Sequence, residues 1–319
     1  MGPCAGGAVY SPALTDFVVM VDQKSYMFVT GPKVVQKVTS EEIDTESLGG
    51  GRVHAEKSGV AQFLVKSEVE GLELARQILS YLPQNNCVEP PVVETDDTSG
   101  RRCERLREIV PEEANRPYDV RADIAVIANN PGVLAGVLDI DASRKAARFV
   151  RTCNAFGLPI LSLIDVPGFL PGKEQEHHGI IEHGAKLAYA YCEATVPKRS
   201  VSLRKAYGGA YIVMSSKHVG GDFNLSWPDA EIAVMGAGGA VEILHGKELR
   251  QHDDPERRSQ ELTDSYNESF ANPSIAEARG FLDAVIEPAE TRRVLLRGLH
   301  ALIGKREELP FKRNGNVPL

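Results

Sequence analysis

The sequence predicts an α/β protein in which glycine turns and helices connect parallel strands. One apolar run, 160–164, is typical of a buried strand and is followed by a turn at Pro167-Gly168. Four residues then recur at spacings of four, three and four: Ile180, Gly184, Leu187 and Tyr191. Such spacing marks one face of a helix. Strand, glycine turn and helix follow one another repeatedly, which indicates crossover connections between parallel strands.

A short internal repeat is the second observation behind this fold class. Gly-Gly-Ala occurs at 6–8 and again at 208–210. At a similar distance after each copy lies an apolar run that ends in glycine, 27–31 and 233–236. Two copies of one α/β unit explain this pattern more economically than chance similarity of short strings.

Two further apolar runs, 201–203 and 232–235, are predicted strands that precede helices. The basic pairs Lys198-Arg199 and Arg204-Lys205 flank the first of these runs. We expect them to form a solvated edge. The alternative is that they face a phosphorylated ligand.

Composition excludes several classes of protein. The 319 residues are 42% hydrophobic and 25% charged, which is typical of a folded domain. The net charge of −8 argues against general nucleic-acid binding. No apolar stretch is long enough to predict a membrane-spanning helix. Five scattered cysteines without a C-x-x-C pair favour a reducing compartment.

The chain divides into three predicted regions. Residues 1–95 and 122–319 carry the strand and helix patterns, and residues 96–121 are polar and rich in arginine, acidic residues and proline. Proline fixes φ and charged side chains resist burial, so the middle region is predicted to be a linker.

The Gly-Gly-Ala turns are the first candidate sites. Glycine adopts positive φ easily, and the start of a helix leaves N–H groups without acceptors. Such a turn can hold a phosphate or a developing oxyanion. The plainer interpretation, a tight packing turn, is preferable for one copy, but the duplication favours anion binding. Tyr10 and Tyr211 follow these turns and either line a pocket or pack in the core.

Asp165 lies at a predicted strand end, a short distance before His177 and His178. A carboxylate near two histidines can act as an acid/base pair. A capping aspartate on a solvated loop is the interpretation favoured by the spacing alone. The histidines, including His183, do not show metal-ligand spacing, so no metal site is predicted. The chain also lacks P-loop, nucleophile-elbow and G-x-G-x-x-G motifs.

Specific strings spread over nearly the whole chain resemble one family. They are GPCAGGAVYSPALTDF (2–17), SYLPQNN (80–86), VLAGVLDIDASRKAARFVR (133–151), DVPGFLPG (165–172), HGAKLAYAY (183–191), EATVPK (193–198), RKAYGGAYIVMSSKH (204–218), WPDAEIAVMG (227–236), KREELP (305–310) and the end, GNVPL (315–319). The sequence closely resembles the carboxyltransferase (beta) subunits of biotin-dependent acyl-CoA carboxylases, of the propionyl-CoA and acetyl/propionyl-CoA type.

The resemblance implies two crotonase-like halves of the ClpP/crotonase superfold, each with an oxyanion hole. By motif match, Gly6 and Gly7 would hold the thioester carbonyl of an acyl-CoA. Gly209 and Ala210 would hold the ureido carbonyl of carboxybiotin. The implied reaction moves CO2 from carboxybiotin to the α carbon of acetyl- or propionyl-CoA through enolates, without a nucleophilic side chain.

The resemblance also implies residues around these holes. The implied substrate-binding residues are Ala8, Tyr10, Tyr211 and Ile212. The implied biotin-side loop contains Asp165, Pro167, Gly168 and Phe169. Ile212 occupies a position that varies with acyl-chain choice in the family, and an apolar residue there suggests that acetyl-CoA is accepted along with propionyl-CoA.

Family members work with partner chains. The resemblance implies a biotin carboxylase and a biotin carrier on separate chains, because this sequence has no ATP-binding or biotin-attachment motif. It also implies homo-oligomers, from dimer to hexamer. The implied location is the bacterial cytoplasm, or the mitochondrial matrix in a eukaryote.

Two departures from the family pattern affect the expected activity. The family has a segment before GPCAGG and another between residues 121 and 127, so both halves are expected to lack their opening strands. Exposed sheet edges and apolar faces then predict poor solubility or low activity of this chain alone. A truncated or degenerate non-catalytic homologue is one alternative. A biotin-dependent acyl-CoA decarboxylase subunit, which shares both anion holes, is another.

Overall fold

The computed structural model describes residues 1–85, 88–91, 96–98, 100–111 and 125–310. The chain splits into two compact units, Met1–Val92 and Val93–Leu319. Parts of the predicted linker (99 and 112–121), the start of the predicted second half (122–124) and the family-like end (315–319) lie outside the described residues. The predicted region boundaries therefore stay predictions.

The first unit contains short strands and mostly short helices. Its strands are β1 (Pro3–Ala5), β2 (Val19–Val21), β3 (Tyr26–Phe28) and β4 (Phe63–Val65). Its helices are α1 (Tyr10–Ala13), α2 (Pro32–Thr39), α3 (Thr45–Gly49), α4 (Gly51–Val53) and α5 (Glu68–Tyr81), with a 3-10 helix at Gly6–Val9 and a π-helix at His54–Ser58. β1 pairs with β3 and β2 with β4, both in parallel. Five buried residues form its core: Val9, Val18, Met20, Met27 and Ala61.

The second unit is larger and is organised around one parallel sheet. Its strands are β5 (Val126–Ala128), β6 (Ile160–Val166), β7 (Lys198–Tyr207), β8 (Phe223–Ser226), β9 (Glu231–Ala233) and β10 (Ala284–Val285). Its helices are α6 (Leu106–Ile109), α7 (Ile140–Ala155), α8 (Lys173–His177), α9 (Ile180–Glu193), α10 (Gly208–Val213), α11 (Ala237–Leu249), α12 (Pro255–Tyr266), α13 (Pro273–Ala278) and α14 (Thr291–Leu302). Short 3-10 helices lie at Leu134–Gly136, Lys217–Val219 and Pro288–Glu290, and a π-helix lies at Asn267–Ala271.

The sheet of the second unit has strand order β10-β8-β7-β6-β5, and β9 also pairs with β7. Every pairing is parallel. Parallel strands need crossover connections, which α7 supplies between β5 and β6 and α9 supplies between β6 and β7. Both helices bury apolar residues in the main core, including Val150, Leu187 and Tyr191. The α/β class predicted from the sequence is confirmed.

The element order of the first unit recurs in the second. β1 and β7 each lead into a glycine turn, and each pairs in parallel with a later strand, β3 or β9. The glycines Gly31 and Gly236 then cap the helices α2 and α11. A π-helical segment follows in each unit, and the last strand pairs in parallel with the strand that follows the turn. This correspondence supports the two-copy interpretation of the sequence repeat.

The helical spacing gave a correct prediction. The predicted strand at 160–164 is β6, and the predicted face lies on α9, where Leu187 and Tyr191 are fully buried. Tyr191 also shares a 2.7 Å hydrogen bond with the hydroxyl of Ser162. Burial raises the pKa of this tyrosine far above its usual range, so the phenol stays protonated.

The prediction of a solvated basic edge is wrong. Lys198, Arg199, Arg204 and Lys205 all lie in β7, which is buried along its whole length and has neighbours on both sides. Backbone carbonyls replace water at the first two: Lys198 Nζ donates to Tyr191 (2.9 Å), and Arg199 Nη1 donates to Leu295 (2.9 Å). Burial lowers the pKa of Lys198, because the charged form loses hydration.

The described part of the predicted linker packs against the second unit. The amide of Cys103 donates to the carbonyl of Ala289 (3.0 Å), and Arg107 pairs with Glu287 (2.6 Å). Val110 is buried in a core cluster with Leu203, Trp227 and Leu295, among others. These contacts order residues 103–110 in spite of their polar composition.

No helix in the described part of the chain has both the length and the apolar character that a membrane span requires. Among the described cysteines, Cys4, Cys103, Cys153 and Cys192 are free thiols, and Cys87 lies outside the described residues.

A pair of substitutions on α9 tests this packing. Leu187 is fully buried and Ile181 is 78% exposed. Leu187→Ala is expected to lower the free energy of unfolding by about 2–5 kcal/mol, because it leaves a cavity in the main core. Ile181→Ala on the same helix is expected to change it by less than about 0.5 kcal/mol. Urea unfolding followed by circular dichroism measures both, and equal losses would contradict the assigned helix face.

Candidate functional site

The first glycine turn joins β1 to a 3-10 helix. Gly6 has φ +65° and Gly7 follows it in the first turn of the helix. Among the described residues, neither Gly6 nor Gly7 donates a backbone hydrogen bond outside the regular helices and strands. A Cβ built on either glycine would meet no atom within 4 Å. Open space around the glycines leaves room for a ligand to approach the backbone of the turn.

The second glycine turn joins β7 to α10 in the same way. Gly208 has φ +56°, and a Cβ there would lie 2.9 Å from the carbonyl oxygen of Val234. Both facts require glycine at this position. Gly209 is exposed and Ala210 is buried. Among the described residues, neither of them donates a backbone hydrogen bond outside the regular helices and strands.

Each turn places the first amides of a helix at the end of a strand. The first amides of a helix have no acceptor within the helix and carry a partial positive charge. Two adjacent N–H groups held by a rigid strand end can stabilise an oxyanion without reorganising during the reaction. Gly6 and Gly7, and Gly209 and Ala210, lie at the starts of these helices, and their role as donors stays a prediction.

The predicted substrate-binding residues differ in accessibility. Ala8 and Tyr10 are exposed and follow the first turn, while Ile212 is 36% exposed and follows the second. Tyr211 is only 6% exposed, and its hydroxyl has no hydrogen-bond partner among the described residues. Burial raises the pKa of Tyr211 to about 12, so this hydroxyl stays neutral. Tyr211 belongs to the main core rather than to an open pocket wall.

The predicted loop after β6 lies against the second turn. Its backbone is anchored by Leu138, whose amide donates to Gly168 (3.0 Å) and whose carbonyl accepts from Leu170 (2.8 Å). The Phe169 ring contacts α9 and the turn: a Cβ on Gly184 would lie 3.0 Å from it, and one on Gly209 would lie 3.8 Å from it. Small residues at both positions thus seat the ring beside the exposed amide of Gly209.

Asp165 is not on a solvated loop, which corrects the interpretation favoured from its spacing. It lies within β6 and is fully buried. Its Oδ2 accepts from Arg204 Nε (2.7 Å), and its Oδ1 accepts from the backbone amide of Lys205 (3.3 Å). A carboxylate paired in this way is unsuited to proton transfer with solvent or with histidines.

Sequence analysis missed a polar cluster at the end of β7. The Tyr207 hydroxyl donates to the carboxylate of Glu231, and Lys205 lies opposite Glu231 in the sheet. Burial lowers the pKa of Lys205 and raises that of Tyr207. A signal was present in the sequence: no glycine, proline, asparagine or aspartate interrupts the chain between Pro197 and Gly208, which is typical of one long strand.

The histidines do not form an acid/base site with Asp165. His177 lies at the end of α8 and His183 within α9, where burial lowers its pKa. Within the described ranges there is no group of three or more His, Cys, Asp or Glu side chains arranged to hold a metal ion.

Comparison with known proteins identifies the family. The carboxyl transferase domain model matches residues 1–125 and 122–317. The chain belongs to the carboxyl transferase family. Its relatives include the propionyl-CoA carboxylase carboxyltransferase subunit of Haloferax mediterranei, with 52% identity over all of this chain and 68% of that protein. Another is the methylmalonyl-CoA decarboxylase subunit alpha of Propionigenium modestum, with 45% identity and the same coverage.

A solved structure confirms the fold. Transcarboxylase 12S, solved with methylmalonyl-coenzyme A and methylmalonic acid bound, superimposes with a TM-score of 0.94. It is 43% identical over all of this chain and 67% of that chain, and it assembles as a hexamer. The crotonase-like fold that the resemblance implied is thereby established, and the carboxyltransferase relatives are enzymes.

The alignment with the Haloferax protein is longer than this chain. The match to the Haloferax protein runs over 351 positions, and 351 − 319 leaves 32 positions without a residue of this chain. The two matches to the family model meet at residues 122–125. The missing segment expected between 121 and 127 stays a prediction.

Substitution to alanine at two glycines tests the geometry of the second turn. Gly208→Ala places a Cβ at positive φ and against Val234, so a loss of about 1–3 kcal/mol in the free energy of unfolding is expected. Gly238→Ala is the matched control, because it lies in the first turn of α11 with open space around it. That change is expected to be neutral or stabilising by up to about 1 kcal/mol. Thermal unfolding of both variants gives the comparison, and a neutral Gly208→Ala would refute the assigned conformation.

Proposed function

We propose that this chain is a carboxyltransferase subunit that moves CO2 from carboxybiotin to the α carbon of a short acyl-CoA, acetyl- or propionyl-CoA. The observation that carries the proposal is the repeated turn. Each unit ends a parallel strand in a positive-φ glycine, and each presents first-turn amides that the surrounding backbone does not use. A reaction between two carbonyl compounds that both become anionic needs two such donor sites.

On the acyl-CoA side, the amides of Gly6 and Gly7 are the proposed donors to the thioester oxygen. Removing the α-proton makes this oxygen an enolate, and the amides then stabilise its negative charge. Open space around both glycines allows a substrate carbonyl to approach the backbone closely. Ala8 and the exposed Tyr10 follow in sequence and are the proposed substrate contacts.

On the biotin side, the amides of Gly209 and Ala210 are the proposed donors to the ureido oxygen. The residues present fit such a ring: Gly209 is exposed, and the Phe169 ring beside it gives a flat apolar wall. Carboxybiotin, when bound, supplies the CO2 and the base that takes the α-proton. The chain contributes binding, orientation and charge stabilisation, and the proposal needs no acid/base side chain from Asp165.

The proposed partners follow from two observations: this sequence contains no ATP-binding or biotin-attachment motif, and it belongs to the carboxyl transferase family. Biotin would arrive on a separate biotin carrier, charged by a biotin carboxylase. Self-association, from dimer to hexamer, is proposed because the related transcarboxylase 12S forms hexamers. Free thiols at all four described cysteines suit the proposed cytoplasmic or matrix location.

A decarboxylase subunit is the second candidate. Two relatives with 45% and 46% identity are methylmalonyl-CoA decarboxylase subunits, from Propionigenium modestum and Veillonella parvula. Both candidates use the same two donor sites, and they differ in which way the carboxyl group moves. The non-catalytic alternative instead predicts no transfer in either direction.

Proline substitutions test the donor role of the turns. Gly7, Gly209 and Gly238 are each the second residue of a helix, so proline removes one comparable N–H at each. Gly7→Pro and Gly209→Pro are expected to lower kcat by about 10²- to 10³-fold, the usual loss of one oxyanion donor. The assay is carboxyl transfer from methylmalonyl-CoA to free biotin.

Gly238→Pro is the control in this experiment and is expected to retain activity within a few fold. An equal loss in all three variants would contradict a specific donor role. No transfer by the unsubstituted chain would support the non-catalytic alternative.

Substrate choice tests the role proposed for Ile212. Its side chain is partly exposed near the end of the short helix α10, which begins at the second turn. We expect kcat/KM for acetyl-CoA to remain within about 200-fold of that for propionyl-CoA, because one methylene in an apolar site is worth about 1–3 kcal/mol, or about 10- to 200-fold. Steady-state rates with acetyl-, propionyl- and butyryl-CoA give the comparison. Strict rejection of acetyl-CoA would contradict the expectation.

A further inference from the structure

We propose that Asp165 is a positioning residue that holds the end of β7 so that the second turn presents its amides correctly. This inference rests on the proposed function, because the turn is the proposed site for the ureido oxygen. Asp165 itself touches no reacting group. It acts through residues 204 and 205, which lie three to four positions before Gly208.

The carboxylate of Asp165 contacts a short segment of β7. Oδ2 accepts from Arg204 Nε at 2.7 Å, with side chains that are only 1% and 3% exposed. Oδ1 accepts from the backbone amide of Lys205 at 3.3 Å. One carboxylate therefore fixes both a side chain and the main chain of consecutive residues.

The register of the sheet explains why this segment needs an acceptor. Ile164 pairs with Ser202, but Val166 pairs with Ala206. One residue of β6, Asp165, thus faces three residues of β7, and the ladder is interrupted there. A buried amide in such an irregularity lacks its ladder partner, and leaving it unpaired costs about 1–3 kcal/mol. The Asp165 carboxylate supplies the missing acceptor.

Asp165 is in turn fixed from the other side of its strand. Its backbone amide donates to Asn129 Oδ1 (3.2 Å), and Asn129 Nδ2 donates to the carbonyl of Gly136 (3.1 Å). Asn129 follows β5 directly and is buried. A continuous set of hydrogen bonds thus runs from β5 through Asp165 to the irregular end of β7, which leads into Gly208.

The other end of β7 offers a matched control. Asp222 accepts from the backbone amide of Lys198 (2.8 Å) and pairs with Lys305 (2.9 Å). Asp222 thus accepts from a backbone amide at the first residue of β7, as Asp165 does three residues before the turn, while its ion-pair partner lies outside the strand. Asp222→Asn removes the charge of a β7-binding carboxylate without touching the turn.

Two double variants isolate the positioning contact. Asp165→Leu alone leaves Arg204 as an uncompensated buried charge and risks unfolding, whereas removing both charges together is often tolerated. We therefore compare Asp165→Leu/Arg204→Met with Asp165→Asn/Arg204→Met. Both lack the ion pair, and only the second keeps an oxygen that can accept from the Lys205 amide.

The first measurement is hydrogen–deuterium exchange of the amides in 205–211, which requires no activity. We expect the leucine double variant to exchange there at least about tenfold faster than the asparagine double variant, with β6 amides unchanged. Asp222→Asn is expected to leave 205–211 unchanged. Equal exchange in the two double variants would overturn the proposal.

The second measurement is steady-state transfer from methylmalonyl-CoA to free biotin. We expect the leucine double variant to raise KM for biotin at least about tenfold while KM for methylmalonyl-CoA stays within about twofold, with the asparagine double variant restoring the biotin KM. Equal changes in both KM values would mean a merely structural role. If the unsubstituted chain transfers nothing, the proposed function fails while the exchange comparison still decides the positioning role.

Discussion

The geometry of both candidate sites depends on a glycine in left-handed conformation at the junction of strand and helix. At Gly208 the carbonyl oxygen of Val234 leaves no room for a side chain. Because glycine has no side chain, it can also adopt the positive φ by which the backbone turns from strand to helix. The ladder with β9 ends at Tyr207, and the amides of Gly209 and Ala210 donate none of the backbone hydrogen bonds found among the described residues outside regular elements. Any residue other than glycine would have to open the turn and would redirect those amides.

The two units support the same turn with different amounts of structure. The first turn follows a strand in a two-stranded pair, and its core cluster has five buried residues. The second follows the central strand of a six-stranded sheet, with Phe169 packed beside it. Because two-stranded pairs are marginal by themselves, local opening should cost less free energy in the first unit. A ligand that binds the first turn would therefore also stabilise the surrounding fold.

Local patterns in the sequence were sufficient to predict some elements of the fold and the site, but not the contacts between distant residues. The spacing of Leu187 and Tyr191 identified the buried face of α9, because helical periodicity is encoded within a few residues. The repeated Gly-Gly-Ala identified both turns. The partnership of Asp165 with Arg204 could not be read from spacing, because 39 residues separate them and only the pairing of β6 with β7 brings them together. The charge of Arg204 suggested a solvent-exposed position, but a buried charge is tolerated when the sheet fixes an oppositely charged partner beside it.

Burial of four basic side chains in β7 has a consequence for how the chain folds. A parallel sheet forms late because its pairings are distant in sequence, so its strands are exposed for some time to other chains. An apolar strand of ten residues would be prone to aggregate while it is exposed in this way. Lysine and arginine at both ends of β7 make stacking of identical strands electrostatically unfavourable. Basic side chains that are buried in the native sheet would therefore oppose association of unfolded chains through this strand.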